Sequence, residues 1–267
     1  MTDLESSIGA YSNVEKLLSN ENDFLLNSTG VEKHPGGVDI GTTIIAMKFN
    51  DGVLLAADSR TSSGQLVVNR VARKITRILP SVFMLRSGSA ADSQTLSTIL
   101  RYHAQSLRQQ LRRGGRGHAG SNLSMDVDTN DSLDNVTHTY KLDDTVQGPP
   151  IKALATVTHN LVHQYRNALY CGVILGGYDF VNGPEIYNIT LGGTLVEIED
   201  FLATGSGSGF IVAYLQSNYK KNMNRDECLS LLKKAIEYAV LNDNSSGGIM
   251  RAVSVSRTAV NEYYFVL

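Results

Sequence analysis

The sequence predicts an α+β protein in which helices cover both outer faces of two stacked antiparallel sheets, a four-layer αββα sandwich. Short runs with alternating apolar residues are typical of strands, and longer stretches with apolar residues every three or four positions are typical of amphipathic helices. The two kinds come in blocks: strands, two helices, strands, two helices, strands. Helices grouped between strand blocks favour antiparallel sheets with helices on their faces.

The first strand block follows a leader, residues 1–41, that has no lasting apolar period. Asn50-Asp51-Gly52 has the chemistry of a tight turn, so the runs before and after it are predicted as a hairpin. The predicted strands are 43–49, 53–57, 66–71, 74–78, 82–86, 172–176, 185–189, 194–198, 201–204, 249–255 and 259–266.

Four helices are predicted between these blocks. The third begins after residues 205–208, and the fourth spans about 225–241, with Asn224 as N-cap and Glu227 completing a capping box. The apolar face of the first helix is Leu96, Leu100, His103, Leu107 and Leu111, and that of the second is Leu154, Val157, Leu161, Tyr165 and Ala168.

Residues 114–150 interrupt the pattern. This stretch loses apolar periodicity and carries six aspartates among many Ser, Asn and Thr residues. The composition predicts a disordered or surface insertion in an otherwise continuous domain of residues 42–267. A docking segment at 120–134 is the alternative to a solvated loop.

Composition excludes several classes of protein. The formal net charge of −2 gives no reason to expect nucleic acid or an anionic membrane as partner. No apolar run is long enough to cross a bilayer, and the leader lacks the pattern of a secretory signal. Cys171 and Cys228 do not make a disulfide framework, which favours a reduced, intracellular protein.

Metal and phosphate sites are not indicated. His159 and His163 have ligand spacing on a helix, but no His-Glu-x-x-His pattern surrounds them. The run 205–209, Gly-Ser-Gly-Ser-Gly, lacks the Gly-Lys-Ser/Thr ending of a phosphate loop. A tight turn followed by a helix N-cap explains it better.

Thr42 is a candidate nucleophile. A threonine hydroxyl needs a base, and cleavage before Thr42 would give that residue a free α-amine with a pKa near ~8, able to take the proton at neutral pH. Gly41 allows close backbone approach at the cut. The competing interpretation is a strand that starts after an irregular tail.

Asp58 and Lys74 are candidate partners of Thr42. Alternation puts Lys74 on the same face as Thr76 and Ile78. One interpretation pairs Lys74 with Asp58 beside Thr42, where the cation favours an alkoxide-like threonine. The other leaves one turn carboxylate and one solvated cation, and spacing alone does not decide between them.

Five motifs together resemble a catalytic beta subunit of the 20S proteasome. They are Gly41-Thr42-Thr43, Ala57-Asp58-Ser59-Arg60 with Lys74, Arg86-Ser87-Gly88-Ser89-Ala90-Ala91-Asp92, Gly205-Ser206-Gly207-Ser208, and Asp243-Asn244-Ser245-Ser246-Gly247-Gly248. The resemblance covers about residues 42–113 and 151–265, and the combination of motifs is highly specific.

The resemblance implies an N-terminal nucleophile hydrolase fold and a leader removed by self-cleavage between Gly41 and Thr42. Thr42 is the implied nucleophile, with Asp58 and Lys74 as the supporting ion pair. Gly88 is implied to give its backbone N–H to the oxyanion hole. The residues implied to hold the threonine amine and relay protons are Ser206, Asp243 and Ser246.

Specificity is implied by Arg86, which resembles the pocket arginine of the caspase-like subunit that cleaves after acidic residues. Other implied pocket positions are Thr61, Ser62 and Ala90. Ala72 and Arg73 depart from close relatives, which often have threonine and aspartate there, so the fine specificity is open.

The implied partners are other proteasome alpha and beta subunits in stacked seven-membered rings, peptide and protein substrates, and assembly chaperones. No cofactor, nucleic acid or membrane is implied, and the implied location is cytoplasm and nucleus. Three alternatives stay open: a structural ring subunit that never cleaves, an unprocessed inactive precursor, and an amide hydrolase of the same fold that acts on small molecules.

Overall fold

The structure is a computed structural model that describes residues 41–63, 66–114, 138–142 and 148–267. Of the predicted leader, only Gly41 lies within the described residues. No helix in these ranges is both long enough and apolar enough to span a membrane.

Two antiparallel sheets form the centre of the protein. One has six strands in the order β11-β1-β2-β12-β13-β7, and the other has five in the order β10-β9-β8-β6-β5, while β3 and β4 form a separate hairpin. The strands are β1 (Ile44–Phe49), β2 (Gly52–Ala57), β3 (Thr61–Ser63), β4 (Leu66–Asn69), β5 (Ile75–Leu79), β6 (Val82–Gly88), β7 (His138–Lys141), β8 (Cys171–Asp179), β9 (Gly183–Ile189), β10 (Leu195–Glu197), β11 (Phe201–Thr204), β12 (Ile249–Ser256) and β13 (Ala259–Val266).

Four helices cover the sheets: α1 (Ala90–Gly114), α2 (Ile151–Gln164), α3 (Ser208–Asn218) and α4 (Arg225–Asn242). The capping box predicted for α4 is confirmed, because the Asn224 side chain accepts the Glu227 N–H and the Glu227 carboxylate accepts the Asn224 N–H. The N-cap of α3 is Gly207, so the predicted N-cap lies within 205–209, although it makes no side-chain hydrogen bond.

Three hydrophobic clusters define four layers. One cluster packs α1 and α2 against the five-stranded sheet, a second packs α3 and α4 against the six-stranded sheet, and the third fills the space between the sheets. The predicted αββα sandwich is therefore confirmed. Alternation explains it, because β2 places Leu54 and Ala56 in the helix-facing cluster and Val53 and Leu55 in the cluster between the sheets.

Several local predictions were wrong. The strand β7, His138–Lys141, was not predicted; it lies within the insertion at 114–150 and pairs with β13. The helix α2 ends at Gln164, so Ala168 is exposed rather than on its apolar face. Leu111 of α1 is also exposed. The short strand β3 was not predicted, and the segments 115–137 and 143–147 lie outside the described residues.

Candidate active site

The hairpin β1–β2 brings Thr42, Thr43 and Asp58 together. Its register pairs Ile44 with Ala57, so the residues just before β1 lie beside the residue just after β2. Thr43 N–H donates to Asp58 Oδ1 at 2.8 Å, and Asp58 N–H donates to the Thr43 carbonyl at 3.1 Å. The register of the hairpin therefore places the Asp58 carboxylate next to the predicted nucleophile.

Lys74 reaches this carboxylate from the second sheet. Its Nζ lies 2.7 Å from Asp58 Oδ1, and both side chains are buried. The other carboxylate oxygen accepts backbone N–H groups of Arg60 at 3.1 Å and Gly247 at 3.0 Å. A buried anion with four donors is well compensated, so Asp58 holds the ammonium group in place.

The peptide bond between Gly41 and Thr42 lies against this ion pair. Thr42 Oγ1 donates to the Gly41 carbonyl oxygen at 2.6 Å, and Lys74 Nζ donates to the same oxygen at 3.1 Å. Burial lowers the pKa of Lys74 below its usual value, since the loss of hydration outweighs the attraction of Asp58. The ammonium can thus polarise the carbonyl, and its neutral form is more accessible than that of a free lysine.

Ser206, Asp243 and Ser246 form a hydrogen-bond chain on the other side of Thr42. Thr42 N–H donates to Ser206 Oγ at 3.1 Å, and Ser206 Oγ donates to Asp243 Oδ2 at 2.7 Å. Ser246 Oγ donates to the same carboxylate oxygen at 2.6 Å. These hydrogen bonds link the Thr42 nitrogen to the buried Asp243 carboxylate through the exposed Ser206 hydroxyl.

Thr43, Ser59 and Arg60 belong to this site, although their sequence motifs suggested no individual role. Thr43 Oγ1 lies 2.8 Å from Ser246 Oγ and is the donor, since Ser246 gives its proton to Asp243. Ser59 Oγ accepts the Ile249 N–H at 2.8 Å, and the Arg60 guanidinium donates to the Asn244 carbonyl at 3.0 Å. These bonds tie the segment after α4 to the segment after β2.

Two glycines let the turn before α3 approach Thr42 and Thr43. Gly205 has φ +97°, and a Cβ there would lie 2.0 Å from the Thr42 carbonyl oxygen. A Cβ on Gly207 would lie 2.0 Å from Thr43 Oγ1. Such approaches are impossible for other residues, so the glycines of this motif serve packing at the site.

Arg86 and Gly88 lie at the end of β6, next to Lys74. Arg86 N–H donates to the Lys74 carbonyl at 2.9 Å, and the Arg86 guanidinium donates to the Arg73 carbonyl. Gly88 has φ +88°. Burial lowers the pKa of Arg86, and no carboxylate pairs with its guanidinium among the described residues.

The other predicted pocket residues are more scattered. Thr61 begins β3, Ala90 begins α1 on the exposed surface, and the buried Ser62 hydroxyl has no hydrogen-bond partner among the described residues. Neither Thr61 nor Ser62 hydrogen-bonds Arg86 within that part of the chain. A substrate pocket made from these residues with Arg86 stays a prediction.

His159 and His163 make no metal site in the part of the chain that the structure describes. Their rings stack with centroids 5.9 Å apart, and His159 Nδ1 is bonded to the Gly193 carbonyl. The hydrogen bond to Gly193 holds the helix α2 against the turn there, and the ring stack lies within the helix.

Comparison with known proteins gives a family match over most of the chain. The family described as "Proteasome subunit" matches residues 38–122 and 128–255. A probable proteasome subunit beta type-1 of Schizosaccharomyces pombe is 33% identical over 232 residues, 87% of either chain. A probable proteasome subunit beta type-1 of Encephalitozoon cuniculi is 36% identical over 225 residues, 84% of this chain and 92% of the relative.

A third relative, proteasome subunit beta type-6 of Dictyostelium discoideum, is 34% identical over 223 residues, 84% of this chain and 88% of its own. The family match covers most of the chain, and the relatives align along most of their own length. The chain therefore belongs to the proteasome beta subunit family, with the N-terminal nucleophile hydrolase fold of a 20S core subunit.

Proposed function

We propose that the chain is a threonine endopeptidase subunit that removes its own leader between Gly41 and Thr42 and then cleaves proteins after acidic residues. One observation carries the proposal: the Thr42 hydroxyl and the Lys74 ammonium both contact the carbonyl of the bond to be cut. As a family member, the chain assembles with other proteasome subunits in rings, and peptide or protein chains are its substrates.

In self-cleavage the Thr42 hydroxyl oxygen is first the nucleophile and later the leaving group. Thr42 Oγ1 attacks the Gly41 carbonyl carbon, and the hydrogen bond from Lys74 stabilises the negative charge that develops on the carbonyl oxygen. Collapse of this intermediate breaks the bond to the Thr42 nitrogen, which takes up the proton lost by the hydroxyl, and leaves an ester. Water then hydrolyses the ester, which releases the leader with a Gly41 carboxylate and leaves a free Thr42 amine.

Substrate cleavage repeats the same chemistry with a different carbonyl. The free α-amine of Thr42 takes the proton of its own hydroxyl, and the cation of Lys74 favours the resulting alkoxide-like oxygen. Ser206 contacts the Thr42 nitrogen and leads to Asp243, which supports a role for both in holding the amine. The backbone N–H of Gly88 is the proposed oxyanion donor.

The proposed preference for acidic residues rests on Arg86. A half-buried guanidinium without a carboxylate partner is stabilised by an anion that enters the pocket. A substrate Asp or Glu supplies that anion, whereas a substrate Lys or Arg is repelled.

N-terminal sequencing of the chain isolated from assembled particles tests the proposal. We expect the mature chain to begin at Thr42. A chain that starts elsewhere, or a particle that keeps the leader on this subunit and lacks activity from it, would indicate a structural ring subunit or an inactive precursor. Hydrolysis of small amides only, with no cleavage of peptides, would indicate the amide hydrolase alternative.

The location in cytoplasm and nucleus and the dependence on assembly chaperones are proposals that rest on family membership alone. Fluorescence microscopy of the tagged chain tests the location. Mass spectrometry of proteins bound to the leader-bearing chain tests the chaperones, because such factors should leave once the ring is complete.

A further inference from the structure

A cationic cavity lies at the edge of the sandwich, where β5 of one sheet faces β12 and β13 of the other. It encloses about 120 Å³. We call it the arginine cavity, and its lining includes Arg73, Arg77, Arg251, Glu262 and Tyr264. The strand β5 is the last in its sheet, so the cavity is at a lateral border of the protein.

The alternation of side chains along the strands places arginines of this cavity at positions where apolar residues are expected. Ile75 packs against the cluster between the sheets, and Arg77 lies two residues after it on the same strand, β5, while the exposed Arg73 lies just before that strand. The cavity-lining Arg251 likewise lies two residues before Val253 of the same cluster on β12. Positions that continue an apolar core thus carry cations, and burying a cation costs free energy unless it is compensated.

The compensation within the described residues is incomplete. Arg77 donates to the Pro80 carbonyl at 3.1 Å and lies over the Tyr140 ring at 4.9 Å, and Arg251 donates to the Val71 carbonyl at 3.3 Å. The Nε atoms of both are buried without a hydrogen-bond partner in this part of the chain.

Glu262 is the carboxylate among the cavity's lining residues, and it accepts a hydrogen bond from Tyr264 at 3.0 Å. No ion pair joins it to an arginine among the described residues. Burial lowers the pKa of Arg77 in spite of Glu262. Three guanidinium groups therefore face one carboxylate, and the cavity keeps an excess of positive charge.

We propose that the arginine cavity receives the carboxylate side chain of an Asp or Glu from an adjacent subunit of the ring. A guanidinium has a planar fork of donors that matches a carboxylate, and the cavity has room for about four water molecules or one such side chain. The position at a lateral border gives a neighbouring subunit access. The proposal rests on ring assembly and does not depend on cleavage by Thr42.

Zero-length crosslinking in assembled particles tests the contact. The double variant Arg251→Lys, Glu262→Gln puts an amine in the cavity and removes the chain's own carboxylate from it. A carbodiimide joins an amine directly to a carboxylate, and peptide mass spectrometry identifies the joined residues. The control variant Arg225→Lys, Glu262→Gln carries its amine on α4 beside Asp226, the arginine's partner at 3.2 Å.

We expect an amide bond between position 251 and an Asp or Glu of another proteasome subunit. A bond only to a carboxylate of the same chain, including those of 115–137, would overturn the proposal. So would the absence of any bond at position 251 while the control position reacts with Asp226.

Assembly gives a second, independent measurement. Arg251→Met keeps a long apolar side chain beside Tyr264 but removes the guanidinium that lies over its ring, and with it the charge, so the partner's carboxylate would be left buried and unpaired. We expect its incorporation into particles to fall at least about 30-fold in competition with the wild-type chain, as loss of one member of a buried charge pair does at interfaces. Incorporation equal to that of Arg225→Met would contradict the proposal.

Discussion

Lys74 and Arg86 are joined through the backbone, yet the fold gives the two cations opposite surroundings. Lys74 is buried against Asp58 at 2.7 Å, and that carboxylate is held by three backbone N–H groups. Arg86 is half-buried and bonds mainly to backbone, with no carboxylate partner among the described residues. The chain itself supplies the partner of Lys74, whereas Arg86 has the unpaired cation that the proposed pocket requires.

In the proposed function, this contrast separates the residues of the chemical step from those of substrate specificity. An internal ion pair keeps its geometry whichever peptide is bound, so its loss should stop every reaction of the site. An unpaired cation acts only when a ligand brings the anion, so its loss should change the ranking of substrates rather than abolish turnover.

The largest expected effect is that of Thr42→Ala. Without the hydroxyl, nothing attacks the Gly41 carbonyl, so the leader should stay attached and hydrolysis by this subunit should be lost. Intact-mass spectrometry of the purified particle measures this. Thr98→Ala, which removes an exposed hydroxyl of α1 bonded within its own helix, should be processed normally. Normal removal of residues 1–41 in Thr42→Ala would rule out self-cleavage.

Lys74→Ala should abolish both leader removal and turnover while the ring still assembles. The substitution removes the donor to the Gly41 carbonyl and leaves Asp58 with a buried, unpaired charge. Native gels measure assembly, and mass spectrometry and fluorogenic peptides measure the two reactions. Lys152→Ala, on the exposed side of α2, is the control. Near-normal peptide hydrolysis would mean that the Lys74–Asp58 pair is only structural.

Arg86→Leu should shift the preference from acidic toward apolar residues. A charge-assisted hydrogen bond is worth roughly 1.5–3 kcal/mol, about a 10- to 150-fold preference. Peptides ending in Glu, Leu and Arg measure it, with the other active subunits of the particle silenced by mutation. Arg166→Leu is the control, because it changes an exposed arginine just after α2, and it should leave the ranking of the peptides unchanged. The pocket assignment fails if the Glu peptide is not best in the wild type or if Arg86→Leu keeps the ranking.

Ser206→Ala should have the smallest effect, a fall in kcat of about 2- to 12-fold, because it removes one hydrogen bond worth roughly 0.5–1.5 kcal/mol. Its exposed hydroxyl links Thr42 N to Asp243 Oδ2, and water can replace part of that link. Ser208→Ala is the matched control, since that hydroxyl donates to Gly205 and not to Asp243. Equal rates for both variants would remove Ser206 from the proton relay.

Elements with local signals were predictable. Turn chemistry at Asn50-Asp51-Gly52 gave the hairpin β1–β2, and the capping box gave the start of α4. The strand β7 has no such signal, because it is stabilised by pairing with Asn261 and its neighbours, more than a hundred residues further along the chain. Leu111 fits the apolar period of α1, but it is exposed near the end of the helix.

The candidate site also has one part that the local sequence predicts and another part that it does not. The register of one hairpin is enough to bring Asp58 to Thr43, so local pattern contains half of the ion pair. Lys74 comes from the other sheet, and Ser206 and Asp243 come from the two ends of the α3–α4 region. Their meeting depends on how sheets and helices stack, which periodicity does not encode, and only the resemblance of whole motifs linked them.

The strand β7 also affects the chain before any neighbour has bound. It occupies the free side of β13, whose backbone N–H and C=O groups would otherwise form an open edge along Ala259–Glu262. Open edges recruit strands from other molecules and start aggregation. The strand β7 is then the outermost strand of the sheet, but it has only four residues, and very short edge strands limit such recruitment. A newly made subunit that waits for its partners thus carries a shortened edge here, supplied by the insertion that interrupts the domain.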